Sequence, residues 1–161
     1  MELVAEAMDG GWTAAAGPFS RIAEQLLSDA HDGAAVLLCT SCTGALELAA
    51  MTLGIGPGDV VAVPSFTFPS TASAFARTGA RLRFIDIDPN TLGMDADHLA
   101  EQLDHRVKAV VPVHYAGRQA SIEAVCAAAD RVGAQVVEDN AHGMFGAHGG
   151  KALGTFGSMS T

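Results

Sequence analysis

The sequence is poor in positive charge. Nine Lys and Arg stand against eighteen Asp and Glu, a formal net charge of −9. That balance argues against nucleic acid or an anionic membrane surface as the main partner. It leaves small anions open, because backbone N–H groups bind them without basic side chains. Cysteine is scarce too: Cys39, Cys42 and Cys126, an odd number. No disulfide framework follows, and reduced thiols in the cytoplasm are expected. Cys39 and Cys42 have C-x-x-C spacing, but no second Cys/His pair stands at zinc spacing, so no metal site is expected. Long apolar runs are missing, and the first ten residues carry acids and no base. Neither a signal peptide nor a membrane span is predicted there.

What the chain has is apolar material, 49% of 161 residues, enough for a core. Length predicts one domain or part of a larger one. Residues 1–17 are small, polar and rich in Gly and Ala, and read as an irregular arm. Helical spacing predicts a helix over 18–28, with Ser20 as a cap and His31-Asp32-Gly33 as its end. Short apolar runs predict strands at 35–38, 60–63, 81–85, 109–113 and 135–137. Between them, helices are predicted over 45–51, 70–77, 95–103 and 121–131, the last capped by Ser121. The glycine-rich stretch 143–157 reads as turns and a hairpin, and 157–161 as the start of a strand. Alternation of this kind, with strands apolar throughout, predicts α/β architecture: a mostly parallel sheet with helices on both faces.

Chemistry-bearing residues collect where strands stop. Val136-Val137 runs into Glu138-Asp139-Asn140-Ala141-His142. In an open α/β sheet, ligands gather at such carboxyl ends. Asp139 and Glu138 read either as a pair with separated pKa values or as two acids in a capped turn. His142 could face the same ligand or serve structure. Ser41-Cys42-Thr43-Gly44 opens a helix and suits an anion, through free N–H groups and the helix dipole. Neither a Walker loop nor a G-x-G-x-x-G fingerprint is present. Without that fingerprint, Asp86 at the end of 81–85 does not read as a ribose-binding acid. Phe66 and Phe68 follow another strand and suit either core packing or stacking on a planar ligand. His114-Tyr115 ends another strand and could line the same pocket, with a structural hydrogen bond preferred over catalysis. Asp139, His142 and His148 lack the fixed face a metal set needs.

Together these segments resemble the DegT/DnrJ/EryC1/StrS family of sugar aminotransferases. The resemblance rests on Thr40-Ser41-Cys42-Thr43-Gly44-Ala45-Leu46, Pro64-Ser65-Phe66-Thr67-Phe68, Val111-Pro112-Val113-His114-Tyr115-Ala116-Gly117 and Val137-Glu138-Asp139-Asn140-Ala141-His142-Gly143. Lys151-Ala152-Leu153-Gly154-Thr155 extends it. The Ser-Cys-Thr and Val-His-Tyr-Ala-Gly variants look closest to dTDP-4-oxo-6-deoxyglucose transaminases. The family implies the type I aminotransferase fold and pyridoxal 5'-phosphate (PLP) as cofactor. By position it implies that Cys42 and Thr43 contact the cofactor phosphate and Phe68 stacks on the pyridine ring. Asp139 would pair with the ring nitrogen, and His142 would stand near the phenolic oxygen. Asn140 departs from the small residue, usually alanine, that follows the acid in the family. A nucleotide-linked keto-deoxysugar as substrate, glutamate as amino donor and a homodimer are also implied.

The resemblance makes 18–161 the N-terminal part of the PLP-binding large domain. Its remainder, the small domain and the Schiff-base lysine would lie beyond Thr161. Only Lys108 and Lys151 are present, and neither matches that lysine. The chain is therefore expected to be inactive alone. The alternative is a non-catalytic remnant or interaction module that pairs with a full-length relative.

Overall fold

A computed structural model describes residues 2–119 and 121–161. The chain forms two compact units, Met1–Leu38 and Cys39–Thr161. The first contains helices α1 (Glu2–Asp9) and α2 (Pro18–Ala30). The irregular arm expected over 1–17 is therefore helical across α1. Leu3, Ala5, Glu6, Ala7 and Met8 favour helix, and Glu2 complements the dipole of the first turn. The cap of α2 is Gly17 rather than Ser20, because Pro18 at the first helical position sets the start. Its end falls at His31, as expected. The strand expected at 35–38 does not form. A short apolar run needs a neighbouring strand to pair with, and Ala35, Leu37 and Leu38 stay exposed.

The second unit is built on a five-stranded sheet. Its strands are β1 (Val60–Pro64), β2 (Arg81–Ile85), β3 (Val107–Val110), β4 (Gln135–Glu138) and β7 (Met159–Ser160). Their order is β2-β1-β3-β4-β7, and every pairing is parallel. A small antiparallel hairpin of β5 (Ala147–His148) and β6 (Lys151–Ala152) stands apart from the sheet. Its turn is Gly149-Gly150, with φ of 58° and 83°, a backbone that only glycine adopts freely.

Four helices cover the sheet: α3 (Cys42–Thr52), α4 (Pro69–Ala76), α5 (Ala96–Gln102) and α6 (Ile122–Asp130). Strand alternation divides their partners. Val60 and Ala62 of β1 pack with Leu99 of α5 and Ile122, Val125 and Ala129 of α6. Val61 and Val63 pack with Leu46 and Ala50 of α3 and Phe75 of α4. Both faces are dry, so the strand sequence Val-Val-Ala-Val shows no polar alternation.

Two local expectations are corrected. Strand β3 begins at Val107 and ends at Val110, earlier than 109–113. Pro112 has no N–H to donate, and beyond it only a single bridge, Val113 to Asp139, continues the pairing. Ser121 occupies the cap position of α6 at φ 51°, but its hydroxyl caps nothing. Gln119 Oε1 accepts from the Ile122 N–H instead, at 3.2 Å.

The chain places β2 on one side of β1 and β3 on the other. This reversal is a switch point, and it opens a crevice at the carboxyl ends of β1 and β3. The segment leading into β7 comes close to β4 at Gly157. A Cβ on Gly157 would stand 2.5 Å from the Val136 carbonyl oxygen. Gly157→Ala is accordingly expected to cost about 1–3 kcal/mol by forcing β4 and β7 apart. Chemical denaturation measures this, and an unchanged midpoint would contradict the contact.

Candidate active site

At that crevice lies a pocket of ≈ 390 Å³, lined by Cys42, Thr43, Phe68, Ser70, Val113, Tyr115, Asp139, Ala141 and His142. The five residues that the resemblance implies as cofactor contacts, Cys42, Thr43, Phe68, Asp139 and His142, are on its wall. Ser70, Val113 and Tyr115 join them because their backbone segments leave the same sheet edge.

Cys42 and Thr43 occupy the first turn of α3. Ser41 caps it, its Oγ accepting from the Gly44 N–H at 3.0 Å. First-turn N–H groups have no acceptor within a helix, and with the dipole they favour an anion. Phe68 directly precedes α4, where Pro69 holds the start of the helix. It is 69% exposed, an aromatic face left open on the pocket wall. Phe66 has a different role: its ring lies 4.5 Å from that of Tyr115, and the two pack on each other.

Asp139 is 4% exposed. It is fixed by backbone bonds across the bridge: the Asp139 N–H donates to Pro112 O at 2.9 Å, and His114 N–H to Asp139 O at 3.0 Å. Thr71 Oγ1 donates to Oδ2 at 2.6 Å. Oδ1 accepts from the Ala141 N–H at 3.3 Å, with Cys42 Sγ at 3.7 Å. Among the described residues no cation pairs with this carboxylate. A buried carboxylate without a cation is costly. Its place on a pocket wall suits a ligand that brings a positively charged N–H. The same carboxylate influences Cys42: burial pushes that thiol up, and the charge of Asp139 adds to it.

His142 accepts from the Ala116 N–H at Nδ1, 3.2 Å away. A neutral ring bonded in this way carries its proton on Nε2 and is a donor there. Ala116 reaches this position with φ of 54°. The ring of Tyr115 meets His142 edge-on at 5.4 Å.

Glu138 and Asp139 are not a coupled pair. Adjacent residues on a strand face opposite sides. Glu138 is fully buried. It accepts from His114 Nε2 at 2.8 Å and from the N–H groups of Gly154, Phe156 and Gly157 at 2.9, 2.7 and 2.7 Å. Burial pushes its carboxyl up, but these donors outweigh burial and hold its pKa below the ordinary 4.5. His114 therefore serves structure, as expected, whereas Tyr115 faces the pocket. Asn140 is buried, its Nδ2 donating to Leu153 O at 3.0 Å. It ties the glycine-rich segment to the end of β4, while its Oδ1 has no hydrogen-bond partner among the described residues.

Neither lysine lines the pocket. Lys108 Nζ donates to Gly54 O at 2.9 Å, and Lys151 Nζ lies 4.5 Å from the Phe156 ring centroid. Sequence reasoning missed Thr71 and Ser70. Their only signal was their position just after Phe68, in a helix start that reads as ordinary.

The fold, a mostly parallel sheet flanked by helices, is that of solved PLP-dependent aminotransferases. The chain belongs to the DegT/DnrJ/EryC1/StrS aminotransferase family, whose sequence pattern matches residues 1–161. It is 37% identical over 157 residues to the spore coat polysaccharide biosynthesis protein SpsC of Bacillus subtilis (strain 168), covering 98% of this chain and 40% of SpsC. Among solved structures it is similar to the aminotransferase TlmJ from Streptoalloteichus hindustanus, with TM-score 0.92, 38% identity, and coverage of 98% of this chain and 43% of that one. The PLP form of Spr1654 from Streptococcus pneumoniae is also similar, with TM-score 0.91, 26% identity, and coverage of 98% and 44%. The chain thus spans about two-fifths of the length of such relatives.

Proposed function

We propose that this chain supplies the cofactor-binding floor of a PLP-dependent sugar aminotransferase. The observation that carries the reading is Asp139, a buried carboxylate on the pocket wall with no cation beside it among the described residues. The other walls fit the same group. The first-turn N–H groups of Cys42 and Thr43, with the Thr43 hydroxyl, hold a phosphate. Phe68 offers its face to a planar ring. Asp139 keeps a proton at the ring nitrogen, and His142 donates from Nε2 toward the phenolic edge. Pyridoxal phosphate, when bound, supplies the electron sink for moving an amino group.

The substrate we propose is a nucleotide-linked keto-deoxysugar, dTDP-4-oxo-6-deoxyglucose by the Ser-Cys-Thr and Val-His-Tyr-Ala-Gly variants, with glutamate as donor. A cytoplasmic homodimer belongs to the same proposal. With Lys108 and Lys151 engaged away from the pocket, this polypeptide is proposed to hold the cofactor without a covalent link and to be inactive alone.

Pyridoxamine phosphate tests this, since it needs no lysine. It is expected to bind saturably and to shield Cys42 from iodoacetamide. Labelling of Cys39 and Cys126 should not change. Absence of saturable binding, or an unchanged rate at Cys42, would overturn the reading. Borohydride treatment with pyridoxal phosphate should mark neither lysine; a stable adduct at Lys108 or Lys151 would refute the non-covalent mode.

A further inference from the structure

Resting on the cofactor reading above, we infer that Thr71, backed by Thr67, is a positioning residue for Asp139. Thr71 is fully buried. Its Oγ1 makes the shortest side-chain contact to the acid, 2.6 Å to Oδ2. Thr67 Oγ1 in turn donates to Thr71 Oγ1 at 2.7 Å. A hydroxyl has one proton to give. The Thr71 hydroxyl donates its hydrogen bond to Asp139, and its oxygen accepts the one from Thr67. The chain of bonds therefore runs one way, toward the carboxylate, and each bond polarises the next.

The supports on Oδ1 are weaker. The Ala141 N–H stands at 3.3 Å, and the Cys42 Sγ contact is 3.7 Å long. Thr71 is thus the strong constraint on how the carboxylate faces the pocket. The connection between β1 and α4 carries both Thr67 and Phe68, so one segment supplies the aromatic wall and the support of the acid.

The test uses the whole chain and three variants: Thr71→Val, Thr71→Ser and Thr67→Val. Pyridoxamine phosphate affinity is measured by titration, and the absorbance and fluorescence of the bound form are followed against pH. Thr71→Val keeps the volume and removes the donor. It should weaken binding about tenfold and shift the pH dependence of the bound spectrum. Thr71→Ser restores the donor and should stay within about twofold of the unchanged chain. Thr67→Val should fall between them.

Thr71→Val binding as well as the unchanged chain would overturn the inference. So would Thr71→Ser as weak as Thr71→Val, which would mean that only the methyl matters. If Thr71→Val does not fold, Thr67→Val decides: normal affinity and spectrum there also overturn it. Should the unchanged chain take up no pyridoxamine phosphate, the cofactor reading fails and this inference with it.

Discussion

Asp139→Asn should reduce pyridoxamine phosphate affinity by about a hundredfold or more, while raising the unfolding midpoint of the ligand-free chain. Both effects have one cause. Removing one partner of a buried ion pair costs about 3–5 kcal/mol, and about 1.4 kcal/mol is a factor of ten in affinity. Without ligand the carboxylate has no cation among the described residues, and its charge is a burden on the fold. An amide of the same shape removes that burden. Its Oδ1 can still accept from Thr71 or Ala141, so the pocket keeps its form. Calorimetric titration reads the first effect and thermal unfolding the second. Full affinity in the variant would show that Asp139 does not meet the ring nitrogen.

The second large effect is on the opposite face of the same strand. Glu138→Ala should destabilise the second unit by about 3–5 kcal/mol, because it breaks a buried pair with His114 and strands three backbone donors. Glu138→Gln should lie between, keeping an acceptor and losing the charge. The pH dependence has a definite sign. The folded pKa of Glu138 lies below its ordinary value of 4.5. Its stabilisation is therefore present above that value and is lost as the pH falls through the folded pKa. The unchanged chain should lose stability in acid more steeply than Glu138→Gln when both are followed by urea unfolding. Parallel acid limbs would show that the charge of Glu138 contributes little. Because Glu138 bonds both His114 and residues 154–157, its loss should also disturb Tyr115 and the entry to β7.

The sheet was legible because its strands carry their faces in their composition. Val60–Val63 and Val136–Val137 are apolar throughout, and only a strand buried on both faces tolerates that. The irregular features were less legible. Pro112 ends β3, but the run Ala109–Val113 looks continuous to a reader of hydropathy. The α6 cap looks like Ser121, yet the backbone there turns left-handed and Gln119 reaches in instead. Residues 35–38 are apolar enough for a strand, but a strand is a relation between segments and not a property of one.

The pocket divides in the same way. Cys42, Thr43, Phe68, Asp139 and His142 were candidates by chemical type and by position after a strand or before a helix, which are local, but the choice of these five, with Phe68 over Phe66, came from the family resemblance. That Asp139 and Glu138 face opposite ways follows from the pleat once the strand is known. That Glu138 is the structural anchor, that Thr71, backed by Thr67, reaches across to Asp139, and that Tyr115 stands between Phe66 and His142 could not be read locally. Those contacts join residues 16 to 68 positions apart, whose meeting is set by strand order alone. The sequence by itself determined which groups reach the carboxyl edge of the sheet. Only the tertiary structure decided which of them touch, and touching is what leaves one acid satisfied by protein donors and the other facing a pocket that holds no cation among the described residues.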